Sequence, residues 1–195
     1  QMPNQQNNDY EMFMEKIRNT TIKKSSIDKD LALFQENGSF SDIDYDDTQM
    51  TNWLRFNTLN VLSDFVYAYT NEKNKYYQNE DLYQKIVKGL EYWYDVDSES
   101  DNWWHNQISE PQKLGVLLIQ MRIGKKQIPQ ELETKILKRI QETGGDPAKW
   151  TGANRTDIAL HWIYRSCLTQ NEADLKTAID NVSIRGIYHR RRIPT

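Results

Sequence analysis

Two short segments concentrate the residue types that could do chemistry. The first, Asp101-Asn102-Trp103-Trp104-His105-Asn106, sets adjacent tryptophans among polar neighbours. Both indoles cannot enter one small core without burying those neighbours. At least one is therefore expected to be exposed, and an exposed indole is a stacking surface for the apolar face of a pyranose. The flanking Asn side chains both donate and accept hydrogen bonds, which suits sugar hydroxyls. The alternative is that both tryptophans plug helix ends while the asparagines cap. The second segment, Thr151-Gly152-Ala153-Asn154-Arg155-Thr156-Asp157, stands immediately before a helical pattern. Gly152 permits a tight turn there. Asn154 is either an N-cap or an amide that holds a carboxylate, assisted by the positive end of a helix dipole.

Other chemistries find less support. His105, His161 and His189 are the only histidines, and no pair has the spacing of a helical metal site. Neither a metal nor an organic cofactor is expected. There is no Ser-centred nucleophile elbow and no phosphate-cradling Gly loop. Asp101 and Glu110 could serve as a glycosidase pair, but with 28 Asp and Glu in the chain nothing singles them out. The net charge of −3 supplies no basic field for nucleic acid. No apolar run approaches the length of a membrane span, and the polar start Gln1 to Asn8 is unlike a signal sequence. Neither nucleic acid nor membrane is expected as a partner. The lone Cys167 lies in an apolar helical stretch, where a free thiol acts as a small hydrophobe.

The elements that must position these segments read as helices throughout, because apolar residues recur every three to four positions and no stretch alternates over strand length. Tyr10, Phe13, Met14 and Ile17 mark a first helix, and Ile27, Leu31 and Phe34 a further turn. After an acidic loop from Asn37 to Asp47, a helix with Trp53, Leu59, Leu62, Phe65, Val66 and Tyr69 pairs with one carrying Leu82, Ile86, Leu90 and Trp93. Asp95 to Asn106 reads as a polar loop. Ser109-Glu110-Pro111-Gln112 has the pattern of a capping box opening the helix of Leu114, Leu117, Leu118 and Met121. Pro129 opens a helix with Leu132, Ile136, Leu137 and Ile140, which Gly144-Gly145-Asp146-Pro147 closes. Ala148 to Asn154 is again loop. Ile158, Trp162, Ile163 and Cys167 mark the next helix, and a second capping-box pattern, Thr169 to Glu172, leads into Leu175, Ala178 and Ile179. Antiparallel helix pairs with short connections are the material of an α/α toroid or a solenoid. At 195 residues the chain suits one domain. Its surplus of 6 Trp and 11 Tyr fits either a core or a sugar-stacking groove. Arg185 to Thr195, with five basic residues counting Arg185 and His189, has no apolar face and reads as a solvated tail.

Asn102-Trp103-Trp104-His105-Asn106-Gln107-Ile108, with Pro111-Gln112 and the helix to Arg122, resembles the N-terminal α/α toroid of the polysaccharide lyases that cleave chondroitin and hyaluronan. Thr151-Gly152-Ala153-Asn154 with Thr156-Asp157-Ile158-Ala159-Leu160-His161 is similar to that family's next block. Asn37-Gly38-Ser39-Phe40, Met50-Thr51-Asn52-Trp53-Leu54 and Tyr92-Trp93-Tyr94-Asp95 fall where chondroitin AC lyases have similar residues. The likeness covers roughly residues 10 to 180 with its motifs in order.

The resemblance implies an all-α fold of antiparallel helix pairs forming part of an incomplete α/α toroid. Residues 1–182 would be the N-terminal part of that domain, and 183–195 a basic tail that is either irregular or not native to the family. It implies a parent enzyme that takes a proton from C5 of a uronic acid and expels the C4 substituent of chondroitin sulfate or hyaluronan, acidic polysaccharides met in the periplasm or outside the cell. Asn154 would be the catalytic residue that neutralises the uronate, and Asn102, Trp103 and Trp104 the substrate-binding patch. The family's catalytic His, Tyr and Arg belong to a further segment, and His189 does not sit in the corresponding motif, so this chain alone is expected to be a fragment without turnover. A monomer is expected. A non-catalytic carbohydrate-binding domain and a glycosidase on a related helical toroid are the alternatives.

Overall fold

The computed structural model describes residues 5–21, 24, 26–49, 55–97 and 99–182. The expectations placed on Met50 to Leu54, Trp53 among them, and on the tail from residue 183 fall outside these. Eight α-helices are described in order: α1 (Gln5–Asn19), α2 (Asp28–Leu33), α3 (Phe56–Thr70), α4 (Glu80–Val96), α5 (Glu110–Met121), α6 (Gln130–Thr143), α7 (Gly152–Thr169) and α8 (Glu172–Asp180). A π-helical turn, His105–Ser109, runs directly into α5, and a 3-10 turn, Pro147–Lys149, precedes α7. Among the described residues the β-structure is one isolated antiparallel bridge, Phe34 to Phe40. The fold is all-α, as the periodicity predicts.

Helix α4 illustrates how the pattern becomes structure. Leu82, Ile86, Leu90 and Trp93 recur on one face and are buried, while Lys85, Lys88 and Glu91 stay outside the core. The Asn79 side chain caps the helix by accepting from the Leu82 N–H at 2.8 Å, and Glu80 and Asp81 complement the positive end of its dipole. Asp97 then turns left-handed and stops it. In α6 the same logic buries Ile136, Leu137 and Ile140 between Pro129 and Gly144.

The helices pack as an open arc. Helices α3, α5 and α7 lie side by side, α4 packs on α3, α8 on α7, and α1 rests across α5 and α7. Antiparallel pairs arranged this way are part of an incomplete α/α toroid. Helix α6 is tied to its neighbours by polar contacts: Arg139 donates to the Tyr94 carbonyl at 2.5 Å with its guanidinium over the Tyr94 ring, and Glu133 pairs with Arg122 at the end of α5. Helices α5 and α7 approach closely because Gly115 faces Tyr164, whose Cβ would stand 2.8 Å from any Cβ added at Gly115. Cys167 is buried in α7, where burial pushes its thiol up to about 12. No described helix is long and apolar enough to cross a membrane.

Candidate functional site

The tryptophan pair sits on a backbone clamped by its own polar neighbours. Asn106 closes on Ser100 from both sides, its amide oxygen accepting from the Ser100 N–H at 2.9 Å and its amide nitrogen donating to the Ser100 carbonyl at 2.8 Å. The Ser100 hydroxyl donates to the Gln49 carbonyl at 3.0 Å and accepts from the Asn102 N–H at 3.1 Å. The Asn102 side chain in turn accepts from the Trp104 N–H at 3.0 Å. That last bond turns the chain helical at Trp103, so the polar loop expected up to Asn106 ends earlier than its composition suggests. Both indoles are partly open to solvent, Trp103 by 39% and Trp104 by 40%. The face of Trp103 stacks on Trp150, with centroids 4.6 Å apart and planes 14° from parallel, and Trp104 meets the His105 ring edge-on at 5.5 Å.

The helical path then passes through the π turn without a break. Ser109 is therefore already in helical conformation and its side chain makes no capping bond, so the capping box read at Ser109 does not form. Gln112 is used differently: its amide donates to the Asp157 carbonyl at 3.0 Å, joining α5 to α7. The second capping box is displaced as well. Helix α7 runs on to Thr169, and α8 is capped by Asn171, which accepts from the Asp174 N–H at 3.0 Å.

The second segment is reached through a loop held at several points. Gly145, at φ +75°, passes so near the π turn that an added Cβ would lie 2.9 Å from the Gln107 amide oxygen. Its carbonyl accepts from the Trp162 indole N–H at 3.0 Å. Asp146 caps the 3-10 turn by accepting from the Ala148 N–H at 2.9 Å, and Trp150 and Thr151 follow in extended conformation. Helix α7 begins at Gly152, whose φ of +59° is open to glycine. Asn154 therefore lies within the first turn of α7 and not ahead of it. Thr151 occupies the N-cap position and its side chain makes no capping bond. The expectation of Asn154 as N-cap is corrected on that geometry. Its half-buried side chain makes no hydrogen bond among the described residues. A long helix whose first N–H groups lack a side-chain cap, with a free amide in its first turn, is an arrangement suited to an anion.

A buried histidine locks the two segments together. His161 in α7 donates from Nε2 to the Gln107 carbonyl of the π turn at 2.8 Å. Burial pushes its pKa down to about 4, so the ring is neutral and carries its proton on Nε2. Asp101 and Glu110 do not make a matched acid pair. Asp101 is exposed and accepts from the Thr48 hydroxyl at 3.2 Å. Glu110 faces the buried Arg55 at 3.6 Å, and burial pushes its carboxyl up to about 8 against the pull of that guanidinium. Arg55 itself donates to the Trp93 carbonyl at 2.8 Å. Among the described residues no group of three His, Cys, Asp or Glu could hold a metal ion. Trp150 is the site residue that sequence reasoning missed. Its setting in the polar run Asp146-Pro147-Ala148-Lys149-Trp150-Thr151 carries the same signal that marks Trp103 and Trp104.

Comparison with known proteins adds to this geometry. Residues 2–185 match the family model of polysaccharide lyase family 8, N-terminal alpha-helical domain. The chain is 45% identical over 152 residues to chondroitinase-AC of Pedobacter heparinus, which covers 78% of this chain and 21% of that protein. It superposes on a chondroitinase AC lyase studied as enzyme–oligosaccharide complexes with a TM-score of 0.84 at 41% identity, over 89% of this chain and 26% of that one. A Paenibacillus xanthan lyase shares the fold at 20% identity and a TM-score of 0.63, over 92% of this chain and 16% of that one. The chain thus spans about a fifth of the curated relative it matches.

Proposed function

Because the chain belongs to polysaccharide lyase family 8, matching its N-terminal α-helical domain, we propose that it supplies part of the substrate cleft of an enzyme that cleaves chondroitin or hyaluronan by β-elimination. The observation that carries the reading is the juxtaposition at the start of α7. Trp150, stacked on Trp103, is separated by Thr151 alone from α7, in whose first turn the Asn154 side chain makes no hydrogen bond among the described residues. Trp103 and Trp104 offer indole surface to sugar rings, and Asn102 shapes the turn that presents them. Asn154 donates its amide to the uronate carboxylate. Neutralising that group makes the C5 proton more acidic, and the donor gains value as negative charge spreads from C5 into the carboxylate.

The remaining parts of the reaction are assigned to the rest of the enzyme. Proton abstraction needs a positioned base, and His161 is committed to the Gln107 carbonyl in the interior. The 195 residues alone are therefore expected to bind weakly and turn nothing over. The enzyme acts outside the cytoplasm, in the periplasm or beyond, as a monomer on an acidic polysaccharide. The deciding experiment follows absorbance of unsaturated uronide with chondroitin and with hyaluronan, using the full-length protein and the 195-residue chain in parallel. Product from the former and none from the latter is the expected outcome. Silence of the full-length protein on every uronic-acid polymer would overturn the reading, and turnover by the short chain would show that the base has been misplaced.

A further inference from the structure

Trp103 has only one face to offer. Its other face is covered by Trp150 at 4.6 Å and 14°, so a pyranose can stack on it from a single side. A lone indole on a turn is free to swing about two side-chain torsions, whereas one laid flat on a second indole is not. Trp150 is itself fixed. Its backbone N–H donates to the Pro147 carbonyl at 3.2 Å, and the loop behind it is pinned where the Gly145 carbonyl accepts from the Trp162 indole N–H in α7. Thr151, the next residue, begins the approach to the α7 turn that carries Asn154.

We propose that Trp150 is a positioning residue of the sugar cleft, holding the Trp103 indole flat and setting its place relative to the first turn of α7. This rests on the reading of Trp103 as a sugar contact. It goes beyond that reading by naming a residue that works through Trp103, and by tying the stacking surface to the element that acts on the carboxylate. A sugar laid on Trp103 then has its uronate carried at a fixed reach from Asn154, because both are referenced to one short stretch of chain, Trp150 to Asn154.

The test uses the full-length lyase on chondroitin with Trp150→Ala, Trp150→Leu, Trp150→Phe, Trp103→Ala and the double variant Trp103→Ala/Trp150→Ala. A stacked aromatic pair corresponds to roughly a two- to tenfold effect on binding. Trp150→Ala and Trp150→Leu are expected to raise KM by that factor, and Trp150→Phe to bring it back to within about twofold of the parent. The double variant should be no worse than Trp103→Ala alone, since Trp150 acts through Trp103. If Trp150→Ala does not fold, the contrast of Leu with Phe decides, because both keep apolar bulk and only Phe keeps a flat ring. An unchanged KM in Trp150→Leu, or additive losses in the double variant, would overturn the positioning role. Should Trp103→Ala itself leave KM unmoved, the sugar contact fails first and this inference with it. Sensitivity at Trp103 without sensitivity at Trp150 removes the positioning role alone.

Discussion

Replacing Asn154 by Asp separates catalysis from folding, because the structure gives the two effects opposite signs. As an N-cap, Asn154 would lose about 1 kcal/mol of stability on truncation and nothing on replacement by Asp. It is not the cap: Thr151 holds that position, and the Asn154 side chain makes no hydrogen bond among the described residues. Truncation to Ala thus breaks no bond within the fold and gains about half a kcal/mol of helix propensity. A carboxylate in the first turn of α7 gains about 0.3–1 kcal/mol from the helix dipole. Both variants should be as stable as the parent or slightly more so. On catalysis the direction reverses. Losing one donor aimed at developing charge costs about 100- to 1,000-fold in kcat, or roughly 3–4 kcal/mol, and Asp adds repulsion of the uronate. The assay is initial rate by unsaturated-uronide absorbance in the full-length enzyme, with thermal unfolding of the same preparations. Undiminished kcat in Asn154→Asp, or Asn154→Ala losing 1 kcal/mol or more of stability while keeping its kcat, would refute the assignment.

Three further outcomes are expected. Trp104→Ala should raise KM and leave kcat nearly intact, because stacking is present in ground and transition states alike, and a matching drop in kcat would count against it. Glu110, pushed up to about 8, keeps in the folded state a proton that the unfolded chain loses near the ordinary 4.5. Stability therefore falls as pH rises from about 4.5 to about 8, by at most roughly 1.4 kcal/mol per pH unit. Glu110→Gln should flatten that stretch of a denaturant-midpoint series, and an unaltered slope would show that another group titrates there. Gly115→Ala gains up to about 1 kcal/mol in helix propensity. It also sets a Cβ 2.8 Å from that of Tyr164, a near-backbone atom that cannot step aside. Overpacking of about 1–3 kcal/mol should win, giving a lower thermal midpoint, and an unchanged or raised one would mean that α5 and α7 separate freely.

What could be read from the residues alone follows the range over which each signal acts. The helix pairs were legible because burial repeats along one element, and α4 and α6 carry Leu82, Ile86, Leu90, Ile136 and Ile140 inward as their spacing requires. The exposure of Trp103 and Trp104 was legible because their own neighbours are polar. The caps were misplaced where a neighbouring helix overran them. Ser109 needs an extended backbone to cap, and the π turn gives it a helical one. At Thr169 the side chain is already engaged with the Arg165 carbonyl at 2.9 Å inside α7. Gly152 takes the positive φ that a tight turn needs, but α7 begins at that residue, so the loop expected to run to Asn154 is shorter than its composition suggests. Contacts made across the fold left no local trace: the Trp103–Trp150 stack, the Arg55–Glu110 pair and the His161 bond to Gln107 join residues far apart in the chain.

The π turn at His105–Ser109 makes the aim of the tryptophans depend on a count of residues as well as on their identity. Such a turn is an α-helix carrying one residue too many, and each residue of an α-helix advances the path by about 100° and 1.5 Å. Deleting a single residue between His105 and Ser109 would let the run into α5 close as ordinary α-helix while keeping both indoles. It would also swing Trp103 and Trp104 by about a quarter turn around the axis, away from Trp150.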